Sequence, residues 1–227
     1  MIPQYLLQAL FPSTCAACQR VLTYGERQLC LHCLSSLDQT LYSPLVNNPV
    51  ETLLRGRLYL EAATSIYHFR QGNTVQHVVH AMKFHSCPEV AELMGRQLGL
   101  ALLSSQRFDS VDMLLPVPLH WIRRMQRGYN QSELLCRGIA EVMPRPIVTK
   151  CLVRHRYTRP QSRRAGAERR YNVEQAFRVR HPELLEGRHV LLVDDVLTTG
   201  ATIAACGETL AAIPGLRLSV ATLAVAE

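Results

Sequence analysis

Apolar residues along this chain change period repeatedly, from short continuous or alternating runs to a spacing of three and four and back again. The runs predict strands at residues 62–69, 111–118, 146–153, 176–179, 189–195 and 216–225. Between them, the longer spacing predicts helices over 75–84, 88–104, 131–142 and 201–212. Pro116 and Pro118 interrupt the second strand, because proline cannot donate to a sheet ladder. Strands that alternate with helices make an α/β protein with an open, mostly parallel sheet and helices on both faces. Such sheets bind ligands at the carboxyl ends of their strands.

Met1 to Pro12 reads as a short helix, since it lacks the basic start and small-residue cleavage site of a signal peptide. The residues after Cys33, through Pro44 to Pro49, read as a linker. The chain thus divides into an N-terminal module, residues 1–45, and a larger domain, residues 60–227. At 227 residues it can hold one core of ordinary size and a small appendage. No apolar run reaches membrane-spanning length, so the expectation is a cytoplasmic protein that is not integral to a membrane.

Eight cysteines sharpen the picture of the module. Cys15, Cys18, Cys30 and Cys33 form two Cys-x-x-Cys knuckles close together, which offers four thiolates at the spacing of a structural zinc site. One redox pair would explain only one knuckle. His32 lies inside the second knuckle and reads as an exposed loop residue, while Cys87, Cys136, Cys151 and Cys206 read as small core hydrophobes.

The strand at 189–195 carries the candidate chemistry. It ends in Asp194 and Asp195, and Val196-Leu197-Thr198-Thr199-Gly200-Ala201-Thr202 leads from it into a helix. Gly200 allows close backbone approach, and the hydroxyls of Thr198, Thr199 and Thr202 stand beside the free N–H groups of a helix start, which attract phosphate. Adjacent carboxylates accept hydrogen bonds from vicinal hydroxyls or hold the water shell of Mg²⁺. A strand, a diacid and a phosphate cradle in that order suit ribose 5-phosphate. A plain βα turn capped by threonine is the simplest alternative. An NTPase site is the other, but it requires a Gly-x-x-x-x-Gly-Lys-[Ser/Thr] loop, which the sequence lacks. The string resembles the phosphoribosyl pyrophosphate (PRPP) loop of type I phosphoribosyltransferases.

Charge is unevenly spread. The chain carries a net +7, yet His120 to Arg170 holds thirteen Lys and Arg against three Glu, so the remainder sums to minus three. Such a block is a footprint for phosphates. It contains Pro116-Val117-Pro118-Leu119 leading to Arg127-Gly128-Tyr129-Asn130-Gln131, and a polar loop from Arg154 to Asn172 too long for a mere connector.

Together with the cysteine knuckles, these motifs resemble the ComF/GntX family over nearly the whole chain. The resemblance implies a type I phosphoribosyltransferase-like domain behind a zinc-binding module, with a role in natural competence or the use of taken-up DNA. It implies that Asp194 and Asp195 hold the ribose hydroxyls and that Thr198, Thr199, Gly200, Ala201 and Thr202 hold the 5-phosphate. Pro118 to Arg127 becomes the pyrophosphate loop, with Leu119, Arg123 and Arg127, and the stretch with Arg159, Gln161 and Arg169 becomes a loop that closes over PRPP and Mg²⁺. Two positions depart from the family pattern: Gln19 follows Cys18 where glycine is frequent, and His85-Ser86-Cys87 replaces a glycine turn after Lys83-Phe84.

Two functions fit these residues. One is phosphoribosyl transfer to an unidentified acceptor, for which residues 34–60 show no base-reading cluster. The other is a non-catalytic PRPP binder whose Arg163, Arg164, Arg170 and Tyr171, with Tyr129 and Tyr157, hold single-stranded DNA beside DNA-uptake or helicase machinery. For the tyrosines, packing is the plainer reading.

Overall fold

The computed structural model describes residues 13–84, 87–155 and 176–227. The expected N-terminal helix and the loop residues Tyr157, Arg159, Gln161, Arg163, Arg164, Arg169, Arg170 and Tyr171 lie outside them.

Four parallel strands form the sheet: β1 (Ala62–Phe69), β2 (Met113–Pro116), β5 (His189–Leu197) and β6 (Arg217–Ala226), in the order β1-β6-β5-β2. Val190, Leu191, Leu192 and Val193 of β5 are all fully buried, and successive residues enter different layers because strand side chains alternate. Leu191 and Val193 join Leu114 and Leu223 on one face, under α3 (Thr74–Phe84), α4 (Pro88–Ser104) and α6 (Gln131–Val142). Val190 and Leu192 join Leu115 and Val220 on the other, under α2 (Pro49–Leu54) and α7 (Ala201–Leu210). Burial on both faces is why β5 reads as a continuous apolar run instead of an alternating one.

The strand expected at 146–153 is two pieces. Ile147 makes one parallel bridge to Leu114, extending the sheet past β2. After the polar Thr149 and Lys150, β3 (Leu152–Arg154) pairs antiparallel with β4 (Phe177–Val179) as a separate two-stranded ribbon. A helix that the sequence does not announce, α5 (Trp121–Arg127), follows β2; none of its residues is buried, so it has no apolar stripe to reveal it.

Helices α4 and α6 touch through their backbones. A methyl group on Gly138 would stand 2.1 Å from the carbonyl oxygen of Glu92, and one on Gly95 would stand 2.3 Å from that of Leu135. Neither carbonyl can give way without breaking its helix. Gly138→Ala is therefore expected to destabilise the fold by about 2–3 kcal/mol through overpacking, seen as a lower denaturant midpoint at unchanged slope. An unchanged midpoint would show that the helices separate freely.

β1 is an edge strand, and chain N-terminal to it covers the edge. Gln39 bridges antiparallel to Tyr67, flanked by Thr40 N–H donating to the Ile66 carbonyl (3.0 Å) and His68 N–H to that of Asp38 (2.8 Å). Further along, Asn48 Nδ2 donates to the Ala63 carbonyl (2.7 Å), Glu51 accepts from the Ala63 N–H (3.1 Å), and the Thr40 hydroxyl donates to the Ser65 carbonyl. Short α1 (Leu31–Ser35) carries Cys33, and Cys15, Leu29, Cys30, Cys33 and Leu37 belong to the same buried cluster as α3, α4 and α6.

Candidate functional site

Register brings the site together. Pro116, the last residue of β2, is aligned with Val193 of β5, and the Val117 N–H donates to the Val193 carbonyl (2.9 Å). Residues 117–120 therefore leave the sheet beside Asp194 and Asp195, at the carboxyl ends of parallel strands. Buried His120 caps α5 by accepting from the Ile122 N–H (3.3 Å), and burial, Arg154 and Arg123 push its imidazole pKa down. Gly128 ends α5 in the left-handed conformation (φ 80°), which favours glycine. Tyr129 donates to the Met82 carbonyl (2.8 Å), and Asn130 caps α6 while donating to the Val117 carbonyl (3.0 Å). The Arg-Gly-Tyr-Asn-Gln motif is thus a clasp that returns the chain to the sheet, and Tyr129 packs rather than presenting a stacking face.

Both carboxylates are partly buried and held. Asp194 accepts from the Ser132 hydroxyl (2.9 Å) at the start of α6 and from the Asp195 N–H (2.9 Å). Asp195 pairs with Lys83 of α3, Nζ to Oδ2 2.9 Å. Burial, and then the charge of Asp195, push the Asp194 carboxyl up to about 7, against the opposing pull of the Asp195 N–H, Ser132 and Lys83. Sequence reasoning left Lys83 without a role and overlooked Ser132; both contacts are long-range and have no local signal.

Next to the diacid, α7 begins at Gly200 (φ 74°), and no side chain caps its first turn. Its first N–H groups are left without a side-chain acceptor, the kind of helix start that attracts an anion, with Thr198 and Thr199 exposed and Ala201 and Thr202 half-buried around it. Arg57, another residue missed in the sequence, braces this turn by donating to the Thr199 carbonyl (2.8 Å) across 142 residues of chain.

The arginines of the basic block sort by partner. Arg124 reaches Glu133 (3.8 Å), Arg137 reaches Glu133 (3.4 Å) and Glu92 (4.0 Å), and Arg145 donates to the Val111 carbonyl (2.6 Å). Arg127 instead lies over the Phe84 ring (5.4 Å); its guanidinium feels desolvation first and then the charge of Asp195. Arg154 lies over Phe177 (5.4 Å), with desolvation and Arg123 both pulling its pKa down and Asp194 opposing them. Arg123, Arg127 and Arg154 thus stand near enough to feel one another's charge, with Arg127 also feeling Asp195 and Arg154 feeling Asp194, and half-buried Leu119 lies in the loop between β2 and α5.

In the N-terminal module, the sulfurs of Cys15, Cys18, Cys30 and Cys33 all lie within 4.8 Å of one another. A tetrahedral metal with bonds of about 2.3 Å sets its sulfurs about 3.8 Å apart, and Cys18 and Cys30 are at 3.8 Å. The N–H groups of Cys30 and Cys33 donate to the sulfurs of Cys15 and Cys30 (3.4 Å each), as thiolates require. Burial raises the Cys15 thiol, but N–H groups of Cys18, Cys30 and Ala17 outweigh it and bring it down to about 6; burial and the three neighbouring sulfurs push Cys33 up. Crowded thiols with one already ionising are the donor set that a soft divalent cation neutralises. His32 is exposed, as expected of a bystander.

Gln19 explains one departure from the family pattern: it adopts φ 62°, the left-handed conformation that glycine prefers. Gln19→Gly is expected to raise stability by about 1 kcal/mol, read as a higher melting temperature with metal content unchanged.

The phosphoribosyl transferase domain family matches residues 132–226, from Ser132 to the end of β6. The DNA utilization protein YhgH of Escherichia coli O157:H7 is 35% identical over 130 residues, 56% of each chain. Competence protein F of Haemophilus influenzae is 30% identical over 130 residues, 56% of this chain and 57% of its own. This chain is similar to DNA utilization and competence proteins of the ComF type. The chain spans little more than half the length of these relatives. Glutamine PRPP amidotransferase from B. subtilis overlaps 58% of this chain and 25% of its own at 20% identity, with a TM-score of 0.39, too partial a likeness to carry weight. The fold is that of a type I phosphoribosyltransferase-like domain with a cysteine cluster at its N-terminal side. Among the described residues no helix is long and apolar enough to cross a membrane.

Proposed function

We propose that this protein binds PRPP with Mg²⁺ at the diacid and serves in the handling of taken-up DNA, in competence or in the use of DNA as a nutrient. The observation that carries this reading is the convergence of three elements on one sheet edge: the Asp194–Asp195 pair, the uncapped turn at 198–202 and the cluster of Arg123, Arg127 and Arg154. The ring hydroxyls of ribose go to the carboxylates, the 5-phosphate to the turn, and the pyrophosphate to the arginines. Mg²⁺ would supply further positive charge at the pyrophosphate, held through its water shell by Asp194 and Asp195. Loss of pyrophosphate leaves a cationic sugar, which carboxylates stabilise, while guanidiniums stabilise the leaving group. That division of charge fits phosphoribosyl transfer in the cytoplasm, and zinc is the metal proposed for the four cysteines.

A second reading, a non-catalytic binder of PRPP and single-stranded DNA, draws on the basic block. Its described outward arginines, Arg124 and Arg137, are offset by glutamates, so DNA contact on this reading falls to Arg163, Arg164, Arg170 and Tyr171. Calorimetry with Mg²⁺ and PRPP tests the site directly. Arg123→Ala with Arg127→Ala is expected to weaken binding by about 100-fold or more, since charge-assisted hydrogen bonds contribute about 1.5–3 kcal/mol each. Arg124→Ala, whose partner is Glu133, should change it less than threefold. Equal losses from both variants would refute the assignment. Pyrophosphate release with a panel of bases then separates the enzyme from the binder.

A further inference from the structure

A second recess, of about 630 Å³, opens among residues 46–61 and Arg107, and none of its lining residues belongs to the diacid, the arginine cluster or the turn at 198–202. Its size is within the range of small-ligand sites. Three guanidiniums line it. Arg107 is committed to Glu51 and the Leu45 carbonyl. Arg55 and Arg57 instead donate to uncharged oxygens, of the Asn47 side chain and the Thr199 carbonyl, and neither meets a carboxylate among the described residues. Guanidinium forks with only neutral partners retain most of their attraction for an oxyanion, and they match phosphate geometry. Tyr59 also lines it and is 99% exposed, an aromatic face without packing.

We propose that this recess binds a mononucleotide, its phosphate on Arg55 and Arg57 and its base on Tyr59. Aromatic stacking beside cationic donors is how proteins hold a base and its phosphate together. Arg57 also gives the recess a consequence. The guanidinium that would take this phosphate is the one that braces the Thr199 carbonyl, so an occupant that recruits it loosens the turn at the other site. Nucleotide and PRPP therefore oppose one another, each raising the dissociation constant of the other by the same factor. This coupling, unlike the binding itself, rests on the proposed role of residues 198–202.

The test is calorimetric titration of the full chain with AMP, alone and with Mg²⁺ and PRPP. AMP is expected to bind, Arg55→Ala with Tyr59→Ala to weaken it at least tenfold while leaving PRPP affinity unchanged, and Asp194→Asn with Asp195→Asn to leave AMP binding intact. Saturating AMP should raise the PRPP dissociation constant several-fold in the wild type and not in the Arg55→Ala, Tyr59→Ala protein. No AMP binding at millimolar concentration, binding that survives the double substitution, or binding lost with the diacid overturns the site. A thymidine oligonucleotide that binds these residues more tightly than AMP also overturns it, in favour of nucleic acid. AMP binding with no change in PRPP affinity overturns the coupling. Should wild-type protein fail to bind PRPP at all, the proposed function fails, while the AMP titration still decides the recess.

Discussion

Asp194→Asn combined with Asp195→Asn is expected to abolish PRPP binding and, at the same time, to make the protein harder to unfold at mildly alkaline pH. The two carboxylates stand at the carboxyl end of β5, immediately before the turn at 198–202, and replacing them keeps volume while removing the charge and one acceptor oxygen from each partner of the ribose hydroxyls. A loss of 100-fold or more, about 3 kcal/mol, corresponds to two charge-assisted hydrogen bonds. The stability gain follows from the sign of the Asp194 shift. Its carboxyl rises from 3.8 to about 7, so the folded protein holds this proton more tightly than the unfolded chain. Stability from this group is complete below about pH 4 and is lost as pH rises through 7. Asp194→Asn alone removes that dependence, and a gain on the order of 1 kcal/mol at pH 8 would raise the melting temperature by about 2–4 °C. Melting curves from pH 5 to 8 check it; a wild type whose stability climbs steadily over that interval, matched by the variant, would place the proton elsewhere.

Removing one knuckle cysteine is expected to have an effect of similar size on the fold itself. Cys30→Ser should release about one metal ion per chain and lower the melting temperature by roughly 10 °C or more, because metal binding in such modules is folding free energy. The loss should reach the main domain. Cys15, Cys30 and Cys33 lie in one buried cluster with Val78, Met82 and Leu98, so the unfolding transition should shift as a whole instead of splitting into two. Elemental analysis with scanning calorimetry reads both quantities. Metal-free, reduced wild-type protein with the stability of the native preparation would refute the role.

What the sequence disclosed was local in origin. The β5 strand, its diacid and the turn into α7 occupy fourteen consecutive residues, so run length, charge and glycine placement are enough to read them. The four cysteines were legible for the same reason. Lys83, Ser132 and Arg57 were not, because each acquires its meaning from a partner 62 to 142 residues away. The strand expected at 146–153 failed because Ile147 and Leu152 are both apolar and β-prone; only the identity of their partners, Leu114 and Val179, separates them into two sheets. The basic block was read as one surface, and its division into paired and converging arginines depends on where Glu92 and Glu133 stand on α4 and α6.

The cover over β1 bears on which pieces of this chain can live alone. Gln39, Thr40, Asn48 and Glu51 occupy groups that an edge strand otherwise offers to the solvent. A fragment beginning at residue 61 would keep every strand of the sheet yet present that row bare, a ready template for the same strand of the next molecule. Such a fragment should grow into insoluble, cross-β-like assemblies. The segment that looks like a spacer in the sequence is what keeps neighbouring molecules apart.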